Sequence, residues 1–192
     1  WAKPRLLFAG LAGALAVLPL ALTYRAGTQV HAGDFAGADA LIEEADAITR
    51  SIGGAPLMYS SLVLAAWRGR EAPAARLIEL GIRDATPRGE GRGLSWVDYA
   101  TALLRNGLGD YDAAFAAADA ACAHDDLGLV AWAMVELVEA AARSDRLDAA
   151  ATSVERLAER TRASGTDWAL GIEARSRALL SDGPAADALY QE

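Results

Sequence analysis

The sequence is poor in the residues that catalytic and metal sites often use, with one cysteine, one lysine and two histidines. The single cysteine, Cys122, excludes an internal disulfide and a cysteine-based zinc site. The single lysine, Lys3, does not follow the glycines of a phosphate-binding loop, so this chain alone carries no P-loop ATPase. We therefore predict no catalytic residue, no metal site and no cofactor within it.

Positive charge and β-branched residues are also scarce. The formal net charge is −8, and a surface that binds a nucleic-acid backbone needs clustered positive charge. We therefore expect no direct nucleic-acid contact. Valine and isoleucine together number 14, against 46 alanines and 26 leucines. Strands favour β-branched residues, whereas alanine and leucine favour helices, so the composition predicts an all-α protein.

A run without charged side chains covers residues 6–24, after Lys3 and Arg5. Such a run is typical of a signal peptide or a membrane span. One alternative is therefore an exported or membrane-tethered scaffold protein in which residues 1–26 are the signal or anchor. Alanines, glycines and Pro19 make the run less hydrophobic than a run of leucine and phenylalanine. We favour a pair of buried helices without membrane contact.

The main signal is an internal repeat. Glycine- and aspartate-containing corners at 33–38, 109–114 and 144–150 each precede a stretch with helical periodicity. The last alanine of each corner, with two further alanines, gives anchors spaced by 37, 39, 36 and 36 residues: Ala38, Ala75, Ala114, Ala150 and Ala186. Eighteen residues before the anchors stand Leu20, Leu57, Trp96, Trp132 and Trp168. Twelve residues before them stand Ala26, Val63, Ala102, Val138 and Ala174.

Each repeat is predicted to contain two helices, which would bury a continuous core by stacking on neighbouring repeats. The first helices are predicted over 19–32, 56–69, 95–108, 129–143 and 167–181, and the second over 34–51, 72–84, 111–123, 147–162 and 184–192. Pro19 and Pro56 would stand at first helical positions, and 89–93 would form a flexible loop. We expect a single repeat domain over 1–192, cut from a longer protein, with partial repeats at 1–16 and 184–192.

Residues 103–114, followed by Ala121, come closest to the tetratricopeptide pattern of about 34 residues per repeat. The predicted fold is a right-handed superhelix of about five tetratricopeptide-like helix-turn-helix repeats. The first helices of such an array line its concave side. The column eighteen residues before the anchors, here called the tryptophan column, would face that groove. The candidate groove residues are Trp67, Trp96, Tyr99, Asn106, Trp132, Glu139, Trp168 and Arg175. The alternative is that the tryptophans fill the core between repeats.

Two other constellations have simpler interpretations. Cys122 and His124, followed by two aspartates, have the residue types of a nucleophile and its base. We interpret them as the polar end of a helix before a turn. Glu136 and Glu139 are three residues apart and share one helix face. We interpret that face as solvated.

Six stretches of the sequence resemble the helical-repeat region of large actinobacterial LuxR-family transcriptional regulators of the MalT type: 17–22, 33–47, 64–71, 84–92, 124–129 and 160–180. The resemblance implies a STAND-type ATPase module before this region, a LuxR-type helix-turn-helix domain after it, and a cytoplasmic location. It implies that the repeats bind a small-molecule inducer or a protein partner and control ATP-dependent assembly on DNA. The family has no fixed ligand motif to place on these residues. Apolar ends of the array would also suit a homo-oligomer.

Overall fold

The computed structural model describes the backbone of residues 2–55, 57–124, 126 and 128–191, and the side chains of those residues from 17 onwards. Within these ranges the chain is all-α, with ten helices and no strand. The helices are α1 (Ala2–His31), α2 (Phe35–Ser51), α3 (Tyr59–Trp67), α4 (Glu71–Arg88), α5 (Gly91–Leu108), α6 (Tyr111–Cys122), α7 (Val130–Arg143), α8 (Leu147–Ser164), α9 (Asp167–Ala178) and α10 (Gly183–Leu189).

The chain divides into two compact units, Trp1–Leu77 and Ile78–Glu192, with the boundary inside α4. In the first unit, α1, α2 and α3 pack against one another. The buried Ser60 hydroxyl donates a hydrogen bond of 2.7 Å to the backbone oxygen of Thr23. This bond satisfies a buried polar group and joins α3 to α1.

In the second unit, each helix from α5 to α9 packs against the next, and α9 packs against α10. The odd-numbered helices are also neighbours, since α5 packs on α7 and α7 packs on α9. Side chains that are 36 residues apart can therefore meet across adjacent odd helices. This is the contact pattern of stacked helical hairpins, in which each hairpin touches its neighbours.

One of the three sequence columns lies in the core at every position, and a second does so at three of its five positions. The column twelve residues before the anchors is buried at all five positions: Ala26, Val63, Ala102, Val138 and Ala174. The anchors Ala38, Ala114 and Ala150 have no exposed surface, so the helices can pack closely at these small residues. Ala75 and Ala186 are half-buried. No member of the tryptophan column is buried. The column stands six residues before the buried one, and six residues turn an α-helix by about 240°, onto another face.

The corners before α2, α6 and α8 share one backbone conformation. Five residues before each anchor φ is positive, at 79° for Gly33 and Gly109 and at 58° for Asp145. Glycine enters this left-handed region freely, whereas the Cβ of any other L-residue is crowded there. Among the described residues, Asp145 is the one non-glycine residue with positive φ. The third corner therefore carries backbone strain that the other two avoid.

We expect Asp145→Gly to stabilise the protein by about 0.5–1 kcal/mol. Glycine removes the crowding at φ 58°, and its greater freedom in the unfolded chain offsets part of the gain. Urea titrations measure the change. Asp145→Ala is the control, because alanine removes the carboxylate but keeps Cβ. Equal gains from both variants would trace the effect to charge and contradict the conformational explanation.

The structure corrects the prediction that Pro19 begins a helix. Pro19 lies inside α1, which is continuous from Ala2 to His31, so residues 2–16 are not a separate helix. Hydrophobic periodicity reveals a helix boundary only where polar residues mark one face of each helix. Residues 6–24 contain no charged residue that could mark such a face. The side chains of residues 1–16 lie outside the described residues. Within the described part of the chain, no helix is both long and apolar enough for a membrane span.

The flexible loop expected at 89–93 is also wrong. Helix α4 ends at Arg88 and α5 begins at Gly91, so only two residues separate them. Gly93 is buried, and a Cβ there would lie 3.2 Å from the Cβ of Ala85 on α4. The glycine in the first turn of α5 therefore permits close approach of the two helices. Pro56, the other predicted helix start, lies outside the described residues.

Candidate functional site

The predicted groove tryptophans stand near the starts of successive odd helices in the second unit. Trp96 lies in the first turns of α5, Trp132 in the first turn of α7 and Trp168 in the first turn of α9. Trp96 and Trp132 are half-buried, and Trp168 is 55% exposed. Large aromatic side chains that keep exposed surface are candidates for contact with another molecule.

Trp67 is separate from this set. It is the last residue of α3 in the first unit and is 44% exposed. Its ring meets His31 edge-on, with centroids 6.1 Å apart. Burial lowers the pKa of His31 to about 4, so at neutral pH this is a contact between two uncharged rings.

Trp132 and Trp168 contact each other directly. Their ring centroids are 4.8 Å apart and the ring planes are inclined by 53°. The two residues are 36 positions apart, so the contact follows from the packing of α9 on α7. The pair presents two indole rings at one place on the second unit.

A cavity of about 160 Å³ opens beside this pair, between α7, α8 and α9. Its lining is mainly apolar, and polar side chains come from the last turns of α8. The lining residues are Ala131, Trp132, Val135, Leu157, Arg160, Thr161, Ser164, Trp168, Ala169 and Ile172. A concave apolar site with a few polar groups is the usual form of a small-molecule site.

Comparison of the chain with known protein families, curated proteins and solved structures found no match.

Tyr99 and Asn106 do not line an exposed groove. Tyr99 is 1% exposed and lies edge-on to Trp96, with centroids 6.0 Å apart. Asn106 is 9% exposed, and its Nδ2 donates to the backbone oxygen and to Oε2 of Glu136, at 3.0 and 2.9 Å. Both residues turn into the packing between α5 and α7, which takes them away from solvent.

The prediction that Glu136 lies on a solvated face is wrong, because this side chain is only 9% exposed. Burial raises its pKa to about 7, and the negative charge of Glu139 adds to the shift. The hydrogen bond from Asn106 and the charge of Arg175 oppose it. Burial and the charge of Glu136 also raise the pKa of Tyr99. The Asn106–Glu136 pair is thus a polar contact in the core between adjacent odd helices.

Glu139 and Arg175 meet at the edge of the same layer. Arg175 Nη2 lies 2.5 Å from Glu139 Oε2, across 36 positions from α9 to α7. Both side chains keep contact with solvent, at 44% and 21% exposure. Partly exposed ion pairs of this kind contribute roughly 0–1 kcal/mol. The ion pair joins α7 to α9 and adds a partly exposed polar contact to the surface of the unit that carries the two indoles.

A second ionic cluster, around Glu173, was not predicted from the sequence. Its carboxylate accepts hydrogen bonds from Thr161 Oγ1 at 2.5 Å, Arg162 Nη2 at 2.8 Å and Arg177 Nε at 3.0 Å. Burial alone would raise the pKa of Glu173, but these donors together lower it. The spacing of Glu173 and Arg177, four apart on one helix, was the available sequence signal. The cluster joins α8 to α9 next to the cavity, which Thr161 also lines.

The first unit holds another cavity, of about 200 Å³, beside an ion pair between Asp39 and Arg68. Arg68 Nη1 donates to Asp39 Oδ1 at 3.2 Å, and Nη2 approaches the backbone oxygen of Phe35 at 3.4 Å. These contacts join the end of α3 to α2. The cavity lies beside a structural ion pair and has no aromatic wall.

The Cys122 and His124 constellation does not have the features of an activated nucleophile. Cys122 is buried, and burial raises the pKa of its thiol to about 11. A catalytic thiol needs a lowered pKa. His124 is exposed, and Asp125 lies outside the described residues. In the part of the chain that is described, no cluster of histidine, cysteine and acidic residues is suited to a metal ion.

Proposed function

We propose that this chain is a non-catalytic sensor or protein-interaction module, the repeat region of an ATP-dependent LuxR-family transcriptional regulator. It binds a small-molecule inducer or a protein partner on the surface where Trp132 and Trp168 meet. The observation that carries this proposal is the pair of partly exposed indoles beside the cavity between α7, α8 and α9. The proposal includes a right-handed tetratricopeptide-like superhelix, a single repeat domain and a cytoplasmic location.

Three features of the chain support a binding role. Tryptophan is enriched among the residues that dominate binding energy, and here two indoles from adjacent odd helices meet at 4.8 Å. The net charge of −8 disfavours contact with a nucleic-acid backbone, which would leave DNA binding to another domain of the parent protein. The sequence resemblance connects this helical-repeat pattern with regulators whose repeats sense an inducer.

Binding would act through the packing of the odd helices. A ligand changes the balance of two conformations only if it binds one of them more tightly. Trp132 and Trp168 belong to different helices, so a ligand that contacts both indoles would favour the conformation in which α7 and α9 are close. The ATPase and DNA-binding steps of the regulator would follow from that change and would take place outside this segment.

We expect Trp132→Ala to weaken ligand binding by at least about tenfold while lowering the melting temperature by only a few degrees. A library of small metabolites, screened by thermal shift, supplies the ligand, and calorimetric titration gives its affinity. Trp67→Ala is the matched control, because it removes the same side chain from the first unit. Unchanged affinity together with a large fall in melting temperature would identify Trp132 as a packing residue and reject the proposed surface.

Sequencing the gene on both sides of this segment tests separately whether the segment belongs to a regulator. A P-loop ATPase upstream and a helix-turn-helix domain downstream are expected. A start codon directly before Trp1 and a stop codon directly after Glu192 would reject the regulator, whatever the outcome at Trp132.

A further inference from the structure

The cavity between α7, α8 and α9 has a counterpart one repeat earlier. A shift of 36 positions along the sequence relates Trp132 to Trp96 and Val135 to Tyr99. The same shift relates Ile172 to Glu136. Since α9 packs on α7 as α7 packs on α5, the space beside Val135 can be compared with the space beside Tyr99.

One repeat earlier, an aromatic ring stands at this position. Tyr99 is 1% exposed, and its ring lies edge-on to Trp96 at 6.0 Å with an interplanar angle of 78°. Val135 is much smaller than tyrosine and cannot fill the same volume. The cavity of about 160 Å³ lies against Val135, with Trp132 in its wall. The volume that the Tyr99 ring fills in one repeat is thus open to a ligand in the next.

We propose that this cavity binds a small molecule through one aromatic ring that carries no hydroxyl group, which takes the place that the Tyr99 ring has one repeat earlier. The inference rests on the proposed binding function and names the ligand class for the same site. The bound ring would contact Trp132 edge-on, as Tyr99 contacts Trp96.

The size and the lining of the cavity set the chemistry of the ligand. An apolar cavity of about 150 Å³ is large enough for benzene, so this one accepts a single ring. Glu136, on the neighbouring helix, is close enough for its charge to raise the pKa of Tyr99, but the corresponding residue beside the cavity is Ile172. A phenol hydroxyl directed toward Ile172 would lose its water without gaining a hydrogen-bond partner. The site therefore favours an aromatic ring without a hydroxyl group over a phenol.

The polar part of the wall favours a free small molecule over a peptide. Polar lining side chains come from α8 alone: Arg160, Thr161 and Ser164. A peptide would bring several backbone amides, each of which needs a partner once it leaves water. The ring of a small aryl compound needs no hydrogen-bond partner on the α7 and α9 sides. A polar group attached to the ring and directed toward α8 would reach those three side chains.

Calorimetric titration of the whole chain with toluene tests the proposal, with p-cresol as the hydroxylated probe. Submillimolar binding of toluene is expected, and about tenfold weaker binding of p-cresol. Val135→Tyr restores the side chain found one repeat earlier and should reduce toluene affinity at least about tenfold, with helicity and melting temperature retained. Leu170→Tyr is the control, because it adds the same side chain at an exposed position of α9 and should bind toluene like wild type.

If Val135→Tyr fails to fold, Val135→Met fills part of the same space and should still weaken binding. Absence of toluene binding to the wild type, or equal binding to Val135→Tyr, overturns the inference. Equal binding of p-cresol overturns the preference for a ring without a hydroxyl group, and tighter binding of N-acetylphenylalanine amide overturns the assignment to a free small molecule. If toluene fails while a metabolite still binds in a Trp132-dependent manner, the proposed function stands and only this inference falls.

Discussion

Replacing Glu136 with glutamine is expected to raise the free energy of unfolding by about 3 kcal/mol at pH 8 and to leave it almost unchanged at pH 4.5. The side chain is 9% exposed, and burial raises its pKa from 4.5 to about 7. In the unfolded chain the same carboxyl ionises at its ordinary pKa. The folded state therefore holds a proton that the unfolded state releases between pH 4.5 and about 7.

The sign of the effect follows from this difference in bound protons. Where the folded state binds more protons than the unfolded state, stability falls as the pH rises. The contribution of Glu136 to stability is therefore most favourable below pH 4.5, declines up to about pH 7, and is constant above that. Glutamine cannot ionise, and its Oε1 can accept the hydrogen bond that Asn106 Nδ2 donates to the carboxylate at 2.9 Å.

Urea titrations at pH 4.5, 6 and 8, followed by tryptophan fluorescence, measure this difference. Three described tryptophans, Trp96, Trp132 and Trp168, lie in the second unit with Glu136. Glu155→Gln is the control, because it removes a carboxylate that is 67% exposed and should change stability by less than about 0.5 kcal/mol. If the wild type and Glu136→Gln keep a constant difference at all three pH values, burial of the charge is not the cause.

Ala114→Leu is expected to destabilise the second unit by about 1–3 kcal/mol or more. Ala114 has no exposed surface and lies on α6, which packs against both α5 and α7. Leucine adds three carbons where the two neighbouring helices leave no room, so helices must move or side chains must leave their preferred rotamers.

Ala116→Leu provides the matched comparison. Ala116 lies two residues further along the same helix and is exposed, so both variants make the same change in helix propensity. The difference between their melting temperatures then reports packing alone. Equal melting temperatures would mean that the anchor column is not a close-packing position.

The repeat arithmetic predicted the core because packing depends on side-chain size at a fixed position. A small residue is needed wherever two helices approach closely, so Ala26, Ala102 and Val138 occupy the same place in different repeats and are all buried. The corners were predictable for a similar reason. Asp34 and Asp110 accept hydrogen bonds from backbone amides three residues later, and few residue types do this well.

The buried polar pair could not be predicted from the same columns. Glu136 is polar, and its spacing from Glu139 is equally consistent with an exposed face. Its burial depends on Asn106, 30 positions earlier on another helix, which donates two hydrogen bonds to it. Sequence periodicity describes one helix at a time and does not contain this partnership. The cavity was missed for a related reason, since it follows from the difference between Val135 and Tyr99 at equivalent positions.

Trp96, Trp132 and Trp168 lie in the first two turns of odd helices. The other two members of the column do not, since Leu20 lies well inside α1 and Leu57 precedes α3. The environment of the tryptophans could not be predicted from residue type. The burial of a tryptophan depends on which residues of its own and neighbouring helices pack on it, and these residues differ along the column. Trp96 has Tyr99 beside it, whereas Trp132 has Trp168. Trp168 is 55% exposed.

The contact between Trp132 and Trp168 also gives the protein an intrinsic optical signal. Two indoles with centroids 4.8 Å apart and planes inclined by 53° are close enough for their excited states to couple, and an inclined pair gives a paired positive and negative band in circular dichroism. The strength of that couplet falls steeply as the rings separate. Any event that moves α9 away from α7 can therefore be followed in real time on the unlabelled protein.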